Sequence, residues 1–146
     1  MHGLERPIVH RDLKLENIMI QYIQNEGSND AEIILKVTDF GFACEIDPKK
    51  PENLSLGSPM YTAPEVIQGL SYDARCDVWS LGVMAYMLLT NKPPFSGSKK
   101  EEIYDRTLNN KPDYSSFSRF HDKGHLCTDF VQSCLIKNFH NRPTIA

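Results

Sequence analysis

Eight residues near the start of the chain, HRDLKLEN from His10 to Asn17, bring acidic, basic and amide side chains together. Asp12 offers a carboxylate, Lys14 a cation two residues later, and Asn17 a neutral oxygen ligand suited to a hard ion such as Mg²⁺. Phosphoryl transfer needs metal ions, a carboxylate that orients the attacking hydroxyl, and cations against the developing charge. The octapeptide therefore supplies most of the groups that this chemistry requires.

The triplet DFG adds a second hard oxygen ligand at Asp39, and Gly41 allows the backbone to turn sharply beside it. Between the two motifs lie two short β-branched runs, Ile18 to Ile23 and Ile33 to Thr38, joined by the polar stretch QNEGSNDAE. We expect a hairpin with a long exposed loop in this region.

The elements after the hairpin are predicted from the prolines and glycines that interrupt regular structure and from the apolar runs between them. Three prolines and two glycines make the segment from Asp39 to Tyr61 a loop, and APEVIQ forms a short helix with Pro64 in its first turn. The run Val78 to Leu89 predicts a helix that is apolar on every side and is therefore central in the core. Asp77 directly precedes that run, and one interpretation makes it the N-cap of the helix.

The last third of the chain predicts two more helices. NKPPFSGS is rich in turn residues, KKEEIYDRTL is amphipathic, and KPDYSSFSRF has loop character. A last helix is predicted from about His125 to Lys137, because five apolar residues fall on one face: Leu126, Phe130, Val131, Cys134 and Leu135. We expect a fold of the mainly α class with a small β-hairpin and no internal repeat.

Composition and charge describe one globular domain. The 146 residues are 40% hydrophobic and 24% charged, which is typical of a chain that buries a core. The net charge of -3 and the pI of about 5.9 provide no positive field for nucleic acid or for an anionic membrane. The longest apolar run is shorter than the roughly 18–20 residues that a bilayer requires, so we expect no membrane span.

The chain has four scattered cysteines and no CxxC pair: Cys44, Cys76, Cys127 and Cys134. This usage predicts reduced thiols in a cytoplasmic protein, with the nucleus as an open alternative. The first residues, MHGLERP, lack the apolar core of a signal peptide, so we expect no secretory leader. The spacing of His121, His125 and Cys127 permits a metal site, but solvated loop histidines are the preferred interpretation.

Six motifs in this chain resemble, in order, those of the protein kinases. HRDLKLEN is similar to the catalytic loop of that family, DFG to its metal-binding triplet, and Ala63-Pro64-Glu65 to the end of its activation segment. GSPMY, DVWSLGV and NRPT match three further motifs. The resemblance covers nearly the whole chain and implies the C-terminal lobe of the kinase domain, whose parent fold is α+β.

The resemblance implies a role for each residue of the site. Asp12 would accept or orient the substrate hydroxyl, and Lys14 would neutralise the transferred phosphate. Asn17 and Asp39 would hold Mg²⁺ between the oxygens of ATP. Met19 occupies the position that lies under the adenine ring in this family; it can also be a core strand residue, and the two interpretations are compatible. The positions implied for ATP and Mg²⁺ are Lys14, Glu16, Asn17, Met19 and Asp39.

Three structural contacts are also implied by the family. Asp77 would brace the catalytic loop through its backbone, and Glu65 with Arg142 would form a buried ion pair, for which surface charges are the alternative. Lys14 and Ser58 resemble the serine/threonine branch, in which a hydroxyl at the position of Ser58 contacts the catalytic aspartate.

The residues of GSPMY and DFGFA are most similar to those of calcium/calmodulin-regulated and autophagy-initiating kinases.

Regulation by phosphorylation is implied by Arg11, which belongs to the pattern in which a basic residue before the catalytic acid receives a phosphate from the activation loop. The usual phosphosite position holds Leu54 here, and Ser55 follows it. Phosphorylation of Ser55 is therefore a hypothesis.

Several parts of a complete kinase domain are not found in this sequence. A Gly-rich loop, a strand lysine and a helix glutamate are required, and the nine residues before His10 cannot hold them. We expect residues 1–146 to be a partial domain that also lacks the last helix of its lobe. Part of the helix from Val78 to Leu89 should then be uncovered, Phe40 should lose its partners, and the isolated chain should be marginally stable.

The expected function is ATP- and Mg²⁺-dependent phosphorylation of serine or threonine in protein substrates, by a protein with regulatory domains outside this chain. The fragment alone should be inactive. Two alternatives remain, a non-catalytic kinase-lobe binding module and a truncated gene product without function. The intact set of Asp12, Lys14, Asn17 and Asp39 favours the enzyme.

Overall fold

Four α-helices and two small sheets make up the described part of the chain, which in this computed structural model comprises residues 8–24, 31–46 and 57–144. The helices are α1 (Pro64–Ile67), α2 (Arg75–Thr90), α3 (Lys100–Asn109) and α4 (Gly124–Cys134). The strands are β1 (Ile8–Val9), β2 (Ile18–Gln24), β3 (Ala31–Val37) and β4 (Cys44–Glu45). Short 3-10 helices cover Leu15–Asn17, Pro59–Tyr61, Ser115–Lys123 and Phe139–Asn141. The mainly α class is thus confirmed.

Both sheets are antiparallel pairs. Strands β2 and β3 form the predicted hairpin, with Ile18 opposite Val37 at one end, and the residues that connect them lie outside the described part. Strands β1 and β4 also pair, with Val9 opposite Cys44. The segment predicted as a loop from Asp39 to Tyr61 therefore contains a short strand and a 3-10 helix. Strands this short carry too few residues for a periodic signal.

One face of the hairpin is apolar and open to solvent. Because side chains alternate along a strand, Ile20 and Tyr22 share a face with Leu35 and Ile33 opposite them, and all four are exposed. Met19 on the other face is 56% exposed. The interpretation of Met19 as a core strand residue is therefore wrong.

Helix α2 is the centre of the core, as its composition predicts. Trp79 is fully buried and stacks on Phe95 with ring centroids 6.1 Å apart. The helix begins at Arg75, so Asp77 lies inside the first turn and the N-cap interpretation is wrong. Part of the run from Val78 to Leu89 is uncovered, as expected, because Leu88 near its C-terminal end is 73% exposed. None of the described helices has the length and apolar character needed to cross a bilayer.

The segment after α3 differs from its prediction in two places. KPDYSSFSRF contains the start of the 3-10 helix Ser115–Lys123, which buries Phe117 against the rings of Tyr86 and Tyr114 at 5.5 Å each. Helix α4 ends at Cys134, before the predicted Lys137. The contact with α2 buries only part of the apolar face that the sequence predicted. The buried members are Val131, Cys134 and Leu135, and the exposed ones are Leu126 and Phe130.

The contact between α2 and α4 depends on Gly82. A Cβ atom at this position would lie 2.5 Å from Cys134 Cβ and 3.0 Å from Leu135 Cδ2. We expect Gly82→Ala to destabilise this contact by about 1–3 kcal/mol, because overpacking forces neighbouring atoms apart. Hydrogen exchange of the α2 and α4 amides in the full-length protein measures the change. Leu88→Ala, at an exposed position of the same helix, is the control, and equal protection in both variants would contradict the prediction.

Candidate active site

The loop that carries His10 to Lys14 is anchored to the core by one buried carboxylate. Asp77, 1% exposed on α2, accepts hydrogen bonds from the backbone N–H groups of His10 (2.8 Å to Oδ2) and Arg11 (2.9 Å to Oδ1). Arg11 has a positive φ of 67°, an uncommon backbone conformation for a residue with a side chain. The bracing contact implied for Asp77 is therefore present, and it fixes the backbone immediately before Asp12.

The carboxylate of Asp12 is engaged on both of its oxygens. Lys14 Nζ donates to Oδ2 at 2.7 Å. The backbone N–H and the hydroxyl of Ser58 donate to Oδ1 at 2.9 and 3.0 Å. Lys14 Nζ also donates to Ser58 Oγ at 3.1 Å, which closes the network. Asp12 is 4% exposed, and its orientation is fixed by these bonds.

The ionisation of Asp12 follows from its partners. Burial raises the pKa of this carboxyl, but hydrogen bonds from Lys14 and Ser58 and the Lys14 charge outweigh burial, so the pKa lies below its usual value. The hydrogen bond to Asp12 raises the pKa of Lys14 in return. Both groups are therefore charged at neutral pH.

Asn17 and Asp39 are held near Asp12 through the backbone. The Asn17 side-chain amide donates to the Asp12 carbonyl at 2.9 Å, which leaves its oxygen available to a ligand. The Asn17 carbonyl accepts a hydrogen bond from the Thr38 backbone N–H at 2.9 Å. Because Thr38 directly precedes Asp39, this bond holds the backbone of Asp39 close to that of Asn17. Asp39 has a φ of 61° and an exposed carboxylate.

His10 links the two halves of this arrangement. Its Nε2 donates to the Thr38 carbonyl at 2.9 Å, and its Nδ1 accepts from the Asp12 backbone N–H at 3.3 Å. Its ring meets the ring of Phe40 edge-on, with centroids 5.0 Å apart. Phe40 is otherwise half exposed, as the sequence led us to expect. The fully buried His10 thus connects the catalytic-loop motif to the DFG motif.

The oxygens of Asn17 and Asp39 fit a hard divalent cation. Magnesium is held in proteins by one or two such side chains together with water and substrate phosphates. Among the described residues no three His, Cys, Asp or Glu side chains are arranged to hold a metal ion together. Asn17 and Asp39 are oxygen donors of the kind that such a shared site uses.

A cleft of about 320 Å³, including its open mouth, lies between Asp12 and α2. Cys76 and Tyr72 line it, and burial raises the pKa of the Cys76 thiol well above its usual value. This thiol is protonated at neutral pH and is a poor nucleophile. The chemistry of the site therefore rests on its carboxylates, its lysine and its hydroxyl.

Glu65 and Arg142 form the buried ion pair that the resemblance implied. Arg142 donates from Nη1 to Oε1 at 2.7 Å and from Nη2 to Oε2 at 3.0 Å. The two side chains are 2% and 0% exposed, so the surface-charge alternative is wrong. Arg142 also donates to the carbonyls of Ile136 and Arg75 and lies over the Trp79 ring. The pair ties α1, directly after the segment with Ser58, to the end of the described chain.

The remaining predicted residues lie around this network. Arg11 Nε donates to the Phe42 carbonyl at 2.5 Å, and Glu16 is exposed and accepts from the Tyr61 hydroxyl at 3.4 Å. Ser55 falls outside the described residues. Two contributors were not predicted, Thr38 and Gly57. The positive φ of Gly57, 99°, is typical of glycine, and its place before Ser58 in GSPMY was the available signal.

Comparison with known proteins identifies similar sequences. The sequence profile described as the protein kinase domain matches residues 1–146. Serine/threonine-protein kinase 33 of Mus musculus is 41% identical over 103 residues, which cover 68% of this chain and 21% of that protein. Serine/threonine-protein kinase ATG1a of Arabidopsis thaliana is 38% identical over 100 residues, 68% of this chain and 15% of that protein. Calcium-dependent protein kinase 4 of Plasmodium falciparum (isolate 3D7) is 38% identical over 118 residues, 80% of this chain and 21% of that protein. The matched region is thus about a fifth or less of these relatives.

Proposed function

Because the chain belongs to the protein kinase family, we propose that it supplies the catalytic loop for transfer of the γ-phosphoryl group of ATP to serine or threonine hydroxyls of protein substrates. The observation that supports this most directly is the Asp12 carboxylate, held by Lys14 on one oxygen and by Ser58 on the other. The similarity to proteins named as serine/threonine kinases supports the substrate class.

In the proposed reaction, the acceptor hydroxyl oxygen forms a bond to the γ-phosphorus while the bond to the bridging oxygen of ADP breaks. The hydroxyl proton passes to Asp12. Since hydrogen bonds keep the pKa of Asp12 low, this carboxylate is a weak base, and its main contribution is to orient the hydroxyl in line with the phosphorus. A loose transition state requires little proton transfer at an early stage.

Lys14 contributes its charge beside the same carboxylate. Its ammonium group lies 2.7 Å from Asp12 Oδ2 and 3.1 Å from Ser58 Oγ. A cation at this place neutralises negative charge on the transferred phosphoryl group as it approaches Asp12. The Ser58 hydroxyl is hydrogen-bonded to both Lys14 and Asp12, and this supports its assignment as the hydroxyl that contacts the catalytic aspartate.

Asn17 and Asp39 would hold Mg²⁺, which when bound supplies positive charge at the phosphate oxygens of ATP. The side chain of Asn17 is oriented by its hydrogen bond to the Asp12 carbonyl. The side chain of Asp39 is oriented by the hydrogen bond that its Oδ1 accepts from the Gly41 backbone N–H at 3.3 Å. Met19 and Glu16, both exposed, remain proposed positions for nucleotide contact.

The proposal extends to the place of this chain in a larger protein. Residues 1–146 would be the C-terminal lobe of a kinase domain, from the catalytic loop to NRPT, with the remaining parts of the domain and any regulatory domains in sequence outside them. The four free cysteines support a reducing compartment, the cytoplasm or the nucleus. Arg11 is proposed to receive an activation-loop phosphate, with Ser55 as its candidate source.

A phosphoryl-transfer assay tests the proposal. Full-length protein with ATP labelled at the γ-phosphate and Mg²⁺ is expected to label serine and threonine peptides but not matched tyrosine peptides. Residues 1–146 alone are expected to be inactive, because the sequence holds no Gly-rich loop or strand lysine for the nucleotide. Loss of labelling on removal of Mg²⁺ is expected as well. A full-length protein that binds partner kinases but transfers no label would favour the non-catalytic alternative.

A further inference from the structure

Gly57 approaches the catalytic loop more closely than any residue with a side chain could. A Cβ atom at this position would lie 2.6 Å from the Arg11 carbonyl oxygen and 3.5 Å from Asp12 Oδ1. The first distance is far inside van der Waals contact and involves backbone, so no side-chain rotation relieves it. Its φ of 99° adds strain for any other residue.

The catalytic-loop side of this contact is fixed. The Arg11 N–H is bound to Asp77 Oδ1 at 2.9 Å, and Asp77 belongs to the buried first turn of α2. Arg11 also holds a φ of 67°, which a bound backbone keeps in place. Any clash between residue 57 and Arg11 must therefore displace residue 57 and its neighbours, and not the loop.

The neighbour that moves is Ser58, which supplies both contacts to Asp12 Oδ1. We propose that Gly57 is a positioning residue: its missing side chain lets the segment close onto Arg11, and this closure aims the N–H and hydroxyl of Ser58 at Asp12. The inference rests on the proposed function, since its consequence is a change in the rate of phosphoryl transfer.

Without that closure one oxygen of Asp12 loses its two donors. Lys14 would still hold Oδ2, so the carboxylate would remain in the site but rotate about its single bond. The nucleotide positions Asn17 and Asp39 make no described contact with Gly57. Lys14 would lose its 3.1 Å bond to Ser58 Oγ but keep its 2.7 Å bond to Asp12 Oδ2. The effect should therefore fall on orientation of the acceptor hydroxyl and leave nucleotide binding intact.

The test is Gly57→Ala in the full-length protein. We expect kcat for peptide phosphorylation to fall about 10- to 100-fold, as a misplacement of roughly 1 Å does, with KM for ATP unchanged. Rates are expressed per ATP-binding site, so loss of folded protein does not imitate the effect. Gly69→Ala is the control, because Gly69 has a similar positive φ of 65° but no atom within 4 Å of the point where a Cβ would lie; it should retain wild-type kcat.

A double variant separates positioning from general damage. Ser58→Ala removes only the hydroxyl and should cost less than Gly57→Ala, and the variant with both changes should match Gly57→Ala within about twofold, because the contacts are already lost. Additive losses, a raised KM for ATP, or a normal kcat in Gly57→Ala would overturn the inference while wild-type transfer stands. A wild-type protein without transfer activity would overturn the proposed function and this inference together.

Discussion

Asp12→Asn in the full-length protein is expected to lower kcat for peptide phosphorylation by about 10²- to 10⁴-fold, because the carboxylate that orients the acceptor hydroxyl and accepts its proton is lost. Asparagine has nearly the same shape as aspartate but no charge. Its side chain has a single oxygen, which can accept hydrogen bonds from Ser58 or from Lys14 but cannot replace both carboxylate oxygens. The acceptor hydroxyl then lacks its anionic partner. ATP affinity should change little, because Asn17 binds the backbone carbonyl of residue 12 and not its side chain.

Steady-state kinetics with a peptide substrate and a nucleotide-binding titration measure the two effects separately. Asp105→Asn is the matched control, since Asp105 is exposed on α3 and its carboxylate accepts from Asn109. The control should retain wild-type kcat. An Asp12→Asn protein that keeps most of its kcat would remove Asp12 from the proposed mechanism, whereas parallel loss of ATP binding would indicate structural damage.

The parts of the site that could be predicted are those formed by residues that are contiguous in the sequence. HRDLKLEN, DFG and APE pointed to the family, and the match of the protein kinase profile to residues 1–146 confirms it. The hairpin, α1, α2 and α3 were predictable as well, because each has a local pattern of apolar residues or a proline at its start. The contacts of Asp77 and of Glu65 with Arg142 were implied only by the resemblance, since nothing local relates residues 65 and 142.

The parts that were not predictable depend on tertiary packing. Leu126 and Phe130 have the same helical spacing as buried residues, but the contact of α4 with α2 uses a narrower face. Strand β4 has two residues and exists because β1 lies beside it. The closeness of Gly57 to Arg11 joins residues 46 positions apart, a distance at which composition and periodicity carry no information.

The ion pair between Glu65 and Arg142 gives the second large expected effect. Arg142→Ala is expected to lower the stability of this part of the protein by about 3–5 kcal/mol, because the Glu65 carboxylate stays buried without its partner. Glu65→Ala should cost a similar amount, since Arg142 is fully buried. Hydrogen exchange of amides in α1 and in Phe139–Asn141, measured in the full-length protein, reports the local free energy of opening.

The double variant decides whether these losses come from the pair or from the packing of each side chain. With both residues changed to Ala no buried charge is left alone, so the combined loss should be smaller than the sum of the two by about 0.5–3 kcal/mol. The exposed pair of Glu102 and Arg106, each 40% exposed, provides the matched cycle, with a coupling of only about 0.3–0.5 kcal/mol expected. Equal couplings in the two cycles, or additive losses below about 1 kcal/mol at the buried pair, would contradict the role of Glu65 and Arg142 as an anchor. A strong coupling would mean that the segment before α1, and with it the Ser58 contact to Asp12, is held in place by a residue near the end of the described chain.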